Sequence, residues 1–212
     1  MLTIIEGRLL GCLLEKERTT PDQYPLTLNA LVLACNQSTS REPVMHLDEH
    51  EVDVTLTALK AQGLLRFVHP VHGRSVTRYR QVADDAWGLA PAAAAVIAVL
   101  LLRGPQTVTE LRTRTERQHR FSTLEAVEDV LRELAADGRV HVLERQPGHK
   151  EARWRQLFAE ESEASVADAP LAPSGSMAER VAQLEARVAR LESALDDLLP
   201  PIPPELAIES FE

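Results

Sequence analysis

Among the residues with reactive side chains are Cys12, Cys35, His46, His50, His69 and His72. A thiol beside an imidazole would support nucleophilic catalysis, and two histidines on one helical face would hold a metal. Neither pattern is complete. Cys35 falls on an apolar stripe with Leu28, Leu31 and Val32, the setting of a buried core thiol. His46 and His50 have i,i+4 spacing, but a helix start falls between them. There is no CxxC pair, no Ser-His-Asp arrangement and no Gly-rich phosphate loop. The sequence therefore predicts no catalytic centre, no metal site and no cofactor.

Guanidinium chemistry is better represented. Between 60 and 80 lie Lys60, Arg66, Arg74, Arg78 and Arg80, with no acid among them. Arg78 and Arg80 flank Tyr79, so on a strand they share one face. A second basic stretch holds Arg145, Lys150, Arg153 and Arg155, diluted by Glu144 and Glu151. Such side chains on a hairpin could bind phosphates, as could Arg41 in the loop before it. A third group is polar. In PDQYPLTLNALVLACNQS, residues 21–38, Asp22, Gln23, Tyr24, Asn36 and Gln37 surround an apolar helix. They read as a contact motif.

What positions these residues is an internal repeat. VTLTALKAQGLLRFVHPVHGRSVTRYRQ (54–81) aligns without a gap on DVLRELAADGRVHVLERQPGHKEARWRQ (129–156), at an offset of 75. Leu56, Leu59 and Gly63 fall on Leu131, Leu134 and Gly138. RYRQ falls on RWRQ. In each copy a helical apolar face ends at a glycine. Two short β-rich runs follow, joined by a turn, as a hairpin requires. Two further helices precede each unit, at 3–17 and 27–36 in the first copy and at 91–103 and 107–114 in the second. Capping boxes mark helix starts at Thr3/Glu6, Thr107/Glu110 and Ser122/Glu125, and Pro91 suits a first helical turn.

Three helices and a hairpin make a winged helix. The predicted fold class is α+β, mainly α, with winged-helix domains at 1–83 and 84–158, joined around 84–90. The second copy of the polar motif, GPQTVTELRTRTERQ, lacks PDQY and NQS, so those residues look surplus to the fold. The helix from Pro91 is apolar nearly all round. It is expected to pack on its own domain and on a neighbour, either the first domain or another subunit.

The C-terminal part reads differently. Residues 159–176 form an acidic Ala/Ser/Pro linker. In 177–199, Val181, Leu184, Val188, Leu191, Leu195 and Leu198 alternate in steps of three and four. Valine at a and leucine at d predict a parallel coiled-coil homodimer seam, and an amphipathic helix folded back on its own protein is the alternative. Residues 200–212 are Pro-rich and read as a disordered tail.

Composition sets the remaining bounds. Of 212 residues 44% are apolar, enough for globular cores, and 4% are aromatic, too few for a stacking groove for single strands. The net charge of −9 resides in 159–212, which hold twelve acids and three arginines, so 1–158 are neutral overall. Two cysteines and no basic leader before an apolar run predict a cytoplasmic protein. The longest apolar run, 89–102, is too short for a bilayer, so no membrane partner is expected.

Function divides along charge. The wings favour duplex DNA. The third helices, with Asp48, Glu49, Glu51 and Asp53, and with Glu125, Glu128, Asp129 and Glu133, oppose it where bases would be read. A DNA-binding, regulator-like protein is the first reading. A winged-helix scaffold for other proteins is the second.

Residues 9–66, with PDQYPLTLNALVLACNQ and the following SREPVM, closely resemble the YceH-like family of uncharacterised bacterial proteins. The resemblance is dense in the first domain and looser in the second. It implies tandem winged helices and implies no activity. The linker and tail look particular to this sequence's type of C-terminus, so the coiled-coil expectation rests on spacing alone.

Overall fold

In the computed structural model, residues 1–69, 76–145 and 151–160 are described. Helix α1 (Ile4–Thr19) opens on the expected capping box, with Glu6 N–H donating to Thr3 Oγ1 at 3.2 Å and Thr3 N–H to Glu6 Oε2 at 2.7 Å. A 3-10 turn (Pro21–Gln23), strand β1 (Leu26–Thr27) and helix α2 (Leu28–Cys35) follow. Helix α3 (Glu49–Ala61) starts at Asp48, which forms a capping box with Glu51. Strands β2 (Leu65–Val68) and β3 (Arg78–Gln81) complete an antiparallel sheet of order β1-β3-β2.

After β3 the chain forms α4 (Ala83–Trp87), α5 (Pro91–Arg103), α6 (Val108–Thr115) and α7 (Leu124–Ala136). A second antiparallel pair joins β4 (Val140–Val142) and β5 (Trp154–Gln156). The chain is thus α+β and mainly helical. One local expectation needs correction. The cap of α7 is Thr123, whose hydroxyl accepts from Ala126 N–H at 3.2 Å, not Ser122 with Glu125. The joint at 84–90 is partly helical, because Gly88 (φ +61°) supplies the left-handed end for α4.

The sequence repeat extends to hydrogen-bond register. Adding 75 to the bounds of α3 gives those of α7, and the helices end before Gly63 (φ +74°) and Gly138 (φ +68°). Leu65 faces Gln81 as Val140 faces Gln156, and Arg66 faces Arg80 as His141 faces Arg155. Even β1 has a counterpart. Leu26 pairs with Tyr79, and Gln106 makes a single antiparallel bridge with Trp154.

Gln81 and Gln156, the last residues of RYRQ and RWRQ, are both buried. Gln81 Oε1 accepts from Ala83 N–H at 2.7 Å, and Gln156 Oε1 from Phe158 N–H at 2.7 Å. The shared glutamine turns the chain out of each hairpin.

One continuous core joins the copies, and the described residues fall within one compact unit. Helix α5 is buried without interruption from Ala94 to Leu102. Its principal partner is α1, which meets expectation: the neighbour is the first copy. The helices approach closely because α1 presents Gly7 and Gly11, where an added Cβ would lie 3.4 Å from Leu101 and 2.9 Å from Leu102 respectively. The two ends of the unit are laced by Leu2 N–H to Phe158 O (2.8 Å) and Glu160 N–H to Leu2 O (2.9 Å). Trp87 stacks on Phe158 at 4.2 Å between centroids. With α5 covered inside the chain, it offers no apolar face to another subunit. The self-association seam of Val181, Leu184, Val188, Leu191, Leu195 and Leu198 lies outside the described residues.

Candidate nucleic-acid interface

Along β3, exposure alternates: Arg78 and Arg80 point outward, Tyr79 and Gln81 inward. The inner side is set by packing. Tyr79 meets Phe67 edge-on at 5.0 Å, and Lys60 Nζ sits 4.3 Å over the Phe67 ring. On the outer side Arg66 and Arg80 are cross-strand partners. Both are exposed, and among the described residues neither has a carboxylate within ion-pairing distance. Like charges directly opposite each other in an antiparallel pair destabilise it by some tenths of a kcal/mol (roughly 0.2–1). An anion laid across the pair would reverse that sign.

The first arginine of each RYRQ/RWRQ motif behaves differently from the second. Arg78 Nη1 donates to Pro25 O at 2.7 Å, and Arg153 Nη1 donates to Pro105 O at 2.8 Å and to Glu110 Oε2 at 3.1 Å. Each ties its hairpin to the segment leading into α2 or α6. Arg153 is therefore corrected from a phosphate contact to a structural tie, and Arg78 is exposed but partly committed. In the second copy Arg155 is half-buried opposite His141, and Arg145 is exposed. Arg74 and Lys150 lie outside the described residues.

Arg41 is also corrected. It is 3% exposed, with Nη2 2.6 Å from Glu15 Oε2, Nε donating to Ala34 O at 3.0 Å and Nη1 to Ser40 O at 2.8 Å. Together with Arg8, whose Nη2 donates to Pro43 O at 2.6 Å, it anchors the loop between α2 and α3 to α1. A guanidinium enclosed this way has no face left for a phosphate.

The polar motif splits in two. Asn36 closes a ring with Leu47, donating to its carbonyl at 2.7 Å and accepting from its N–H at 2.8 Å. Tyr24 Oη accepts from Gln81 N–H at 2.7 Å, so it serves the hairpin exit. These two are part of the fold and not surplus to it. Asp22 and Gln23 are exposed, and Gln37 is half-buried.

Burial raises the Tyr24 phenol well above its ordinary value of 10.0. Above that pH the unfolded chain releases this proton while the folded chain retains it, so rising pH costs stability. Relative to wild type, Tyr24→Phe is expected to lose about 1 kcal/mol at neutral pH through the hydrogen bond. The gap should shrink above pH 10. Urea midpoints at both pH values check this, and a constant gap would refute the burial argument.

The remaining chemistry is quiet. Cys35, hydrogen-bonded beside Cys12 and buried, is held well above the usual thiol range, so it is no ready nucleophile. No group of three metal-ligating side chains occurs among the described residues. No helix among them is long and apolar enough to cross a membrane. The exposed faces of α3 and α7 carry the expected acids, including Glu49, Asp53, Glu125 and Glu128. Glu51 is occupied by its capping box, and Asp129 by Arg132.

Sequence reasoning passed over one site. Gln37, Ser38, Thr39 and Ser40 form one wall of a polar groove of about 420 Å³. Glu15, Lys16, Thr19 and Thr20 of the α1 end and Arg103, Arg114, Arg117 and Gln118 of the second copy complete it. The available signal was RTRTER (112–117), three arginines on the counterpart of the polar motif.

Fold and surface together define a mainly helical α+β protein of two repeated helix-and-hairpin units, with cationic hairpins and acidic third helices. A family model described as "Protein of unknown function, DUF480" matches residues 2–149. The chain belongs to this family of uncharacterised bacterial proteins, whose curated members carry the name UPF0502 protein. It is 48% identical over 207 residues to the UPF0502 protein of Citrobacter koseri, covering 93% of this chain and 96% of that one. It is 47% identical over 199 residues to UPF0502 protein GSU0233 of Geobacter sulfurreducens, covering 90% of each. A Shewanella relative is 41% identical over 215 residues, covering 93% of this chain and 97% of its own. Coverage of 93% necessarily runs beyond Glu160, so these relatives align with at least part of the C-terminal segment.

Proposed function

We propose that this is a non-enzymatic tandem winged-helix protein that binds duplex DNA along its phosphate backbone through the first wing. The supporting observation is the exposed Arg66–Arg80 pair, opposed in register with no acid to neutralise it among the described residues. The acidic exposed faces of α3 and α7 argue that bases are not read from the third helices. Binding in this reading is weakly sequence-dependent and strongly salt-dependent.

Fluorescence anisotropy with random-sequence duplex DNA, from about 50 to 200 mM salt, tests it. Arg66→Ala and Arg80→Ala should each lower the salt slope by about 1 and weaken all sequences alike. An absence of binding at the lowest salt would refute the proposal. The acidic helix faces favour a second reading, a scaffold that docks basic surfaces of other proteins. Pull-down in the presence of nuclease separates the two, because only the scaffold keeps its partners.

A further inference from the structure

The groove between the α2–α3 loop and the second copy is built for an anion. Four cations line it, Lys16, Arg103, Arg114 and Arg117, against one carboxylate, Glu15. That carboxylate is already gripped by Arg41 from behind at 2.6 and 3.3 Å. Lys16 Nζ also lies 3.7 Å from Glu15 Oε2, and Arg114 is held 3.3 Å from Glu110. Among the described residues Arg103 and Arg117 have no carboxylate within ion-pairing distance. Burial, and then the adjacent Arg114, lower the Arg103 pKa by more than Glu15 and Glu110 raise it, so the cation is held there at a cost.

Ser38, Thr39 and Ser40 add hydroxyls to the lining, while those of Thr19 and Thr20 already donate to the Glu15 and Lys16 carbonyls at 3.0 and 3.1 Å. Ser40 is the one non-glycine with positive φ (+63°) among the described residues, in a loop whose carbonyls Arg41 clamps. Strain held by such anchoring is characteristic of a preorganised site.

We propose that this groove binds a small phosphate-bearing metabolite with free hydroxyls, of the sugar-phosphate or nucleotide class. Arg103, Arg114 and Arg117 take the phosphate, and the exposed Ser38 and Thr39 meet the ligand's hydroxyls. Its volume lies within the range of small-molecule sites, about 300–1,000 Å³, and its concavity suits a compact anion better than a duplex. The site is separate from the Arg66–Arg80 wing, so it stands or falls independently of DNA binding.

Calorimetry on the full chain with inorganic pyrophosphate and with ribose 5-phosphate tests this. Both should bind, and Arg103→Ala and Arg117→Ala should each weaken them about tenfold, the scale of a lost charge-assisted contact. The Ser38→Ala, Thr39→Val double variant should weaken ribose 5-phosphate and leave pyrophosphate unchanged. Arg66→Ala should affect neither. Arg117 is exposed, so its variant carries the test if Arg103→Ala fails to fold by circular dichroism. Failure of both probes at millimolar concentration, or unaltered binding in Arg117→Ala, overturns the proposal. So does duplex DNA binding that depends on Arg117 while neither probe binds, since the groove would then belong to a nucleic-acid surface.

Discussion

Arg41→Ala should destabilise the protein by about 3 kcal/mol, the low end for breaking a buried ion pair. Three losses combine. Glu15 keeps its charge but loses a bidentate partner, in a setting where its side chain is 17% exposed. The carbonyls of Ala34 and Ser40 lose their charged donor. The α2–α3 loop loses one of its ties to α1. The residual exposure of Glu15 lets water recover part of the penalty, hence the low end of the range. Arg41→Lys retains the charge but cannot make the fork or reach both carbonyls, so about half the loss should remain. Urea unfolding with unchanged m-values checks both variants. A loss under about 1 kcal/mol for Arg41→Ala would mean a solvated surface pair instead, and would return Arg41 to the list of possible phosphate contacts.

Gly11→Val should cost a similar amount for a different reason. In an exposed helix, replacing glycine by alanine gains about 1 kcal/mol of propensity. At Gly11 that gain is outweighed. A Cβ there would sit 2.9 Å from Leu102 Cγ and 3.1 Å from Leu101 Cβ. Relief requires α1 and α5 to separate or Leu102 to leave its rotamer, at about 1–3 kcal/mol for overpacking. Valine adds two methyls to the same contact, so a loss of about 3 kcal/mol is expected, and about 1 kcal/mol net for Gly11→Ala. Thermal and urea unfolding read the result. Because α1 belongs to the first copy and α5 to the second, both variants should loosen the whole unit in one transition. A stabilised Gly11→Ala would contradict the close approach of the two helices.

These two positions show where sequence reading worked and where it stopped. The repeat at offset 75 foresaw both hairpins, and their register follows it pair by pair. The bounds of α5, Pro91–Arg103, came out as read from Pro91 and the apolar run. Strand β1 was missed because two residues carry no periodicity; Leu26 and Thr27 extend only because Tyr79 and Arg78 lie beside them. Tyr24 and Asn36 looked dispensable because their counterparts differ. Their partners, Gln81 N–H and the Leu47 backbone, lie 57 and 11 residues away in the chain.

The sequence by itself determined the order of the six longer helices and the two hairpins, the caps at Thr3 and Thr107, the twofold repetition and the segregation of charge. All of these depend on residues within a few positions of one another, or on direct comparison of two segments. Tertiary structure alone decided which arginine is a tie and which is left exposed without a carboxylate partner among the described residues. Arg78 and Arg80 are alike in type, spacing and strand face, yet Pro25 O lies 2.7 Å from the first, while the second faces Arg66 across the strand. It also gathered Gln37–Ser40 and Arg103, Arg114 and Arg117 around one groove, although more than sixty residues separate them in the chain. A guanidinium's role is set by the oxygens and charges that distant segments bring within a few ångströms of it, and spacing along the chain carries no record of those distances.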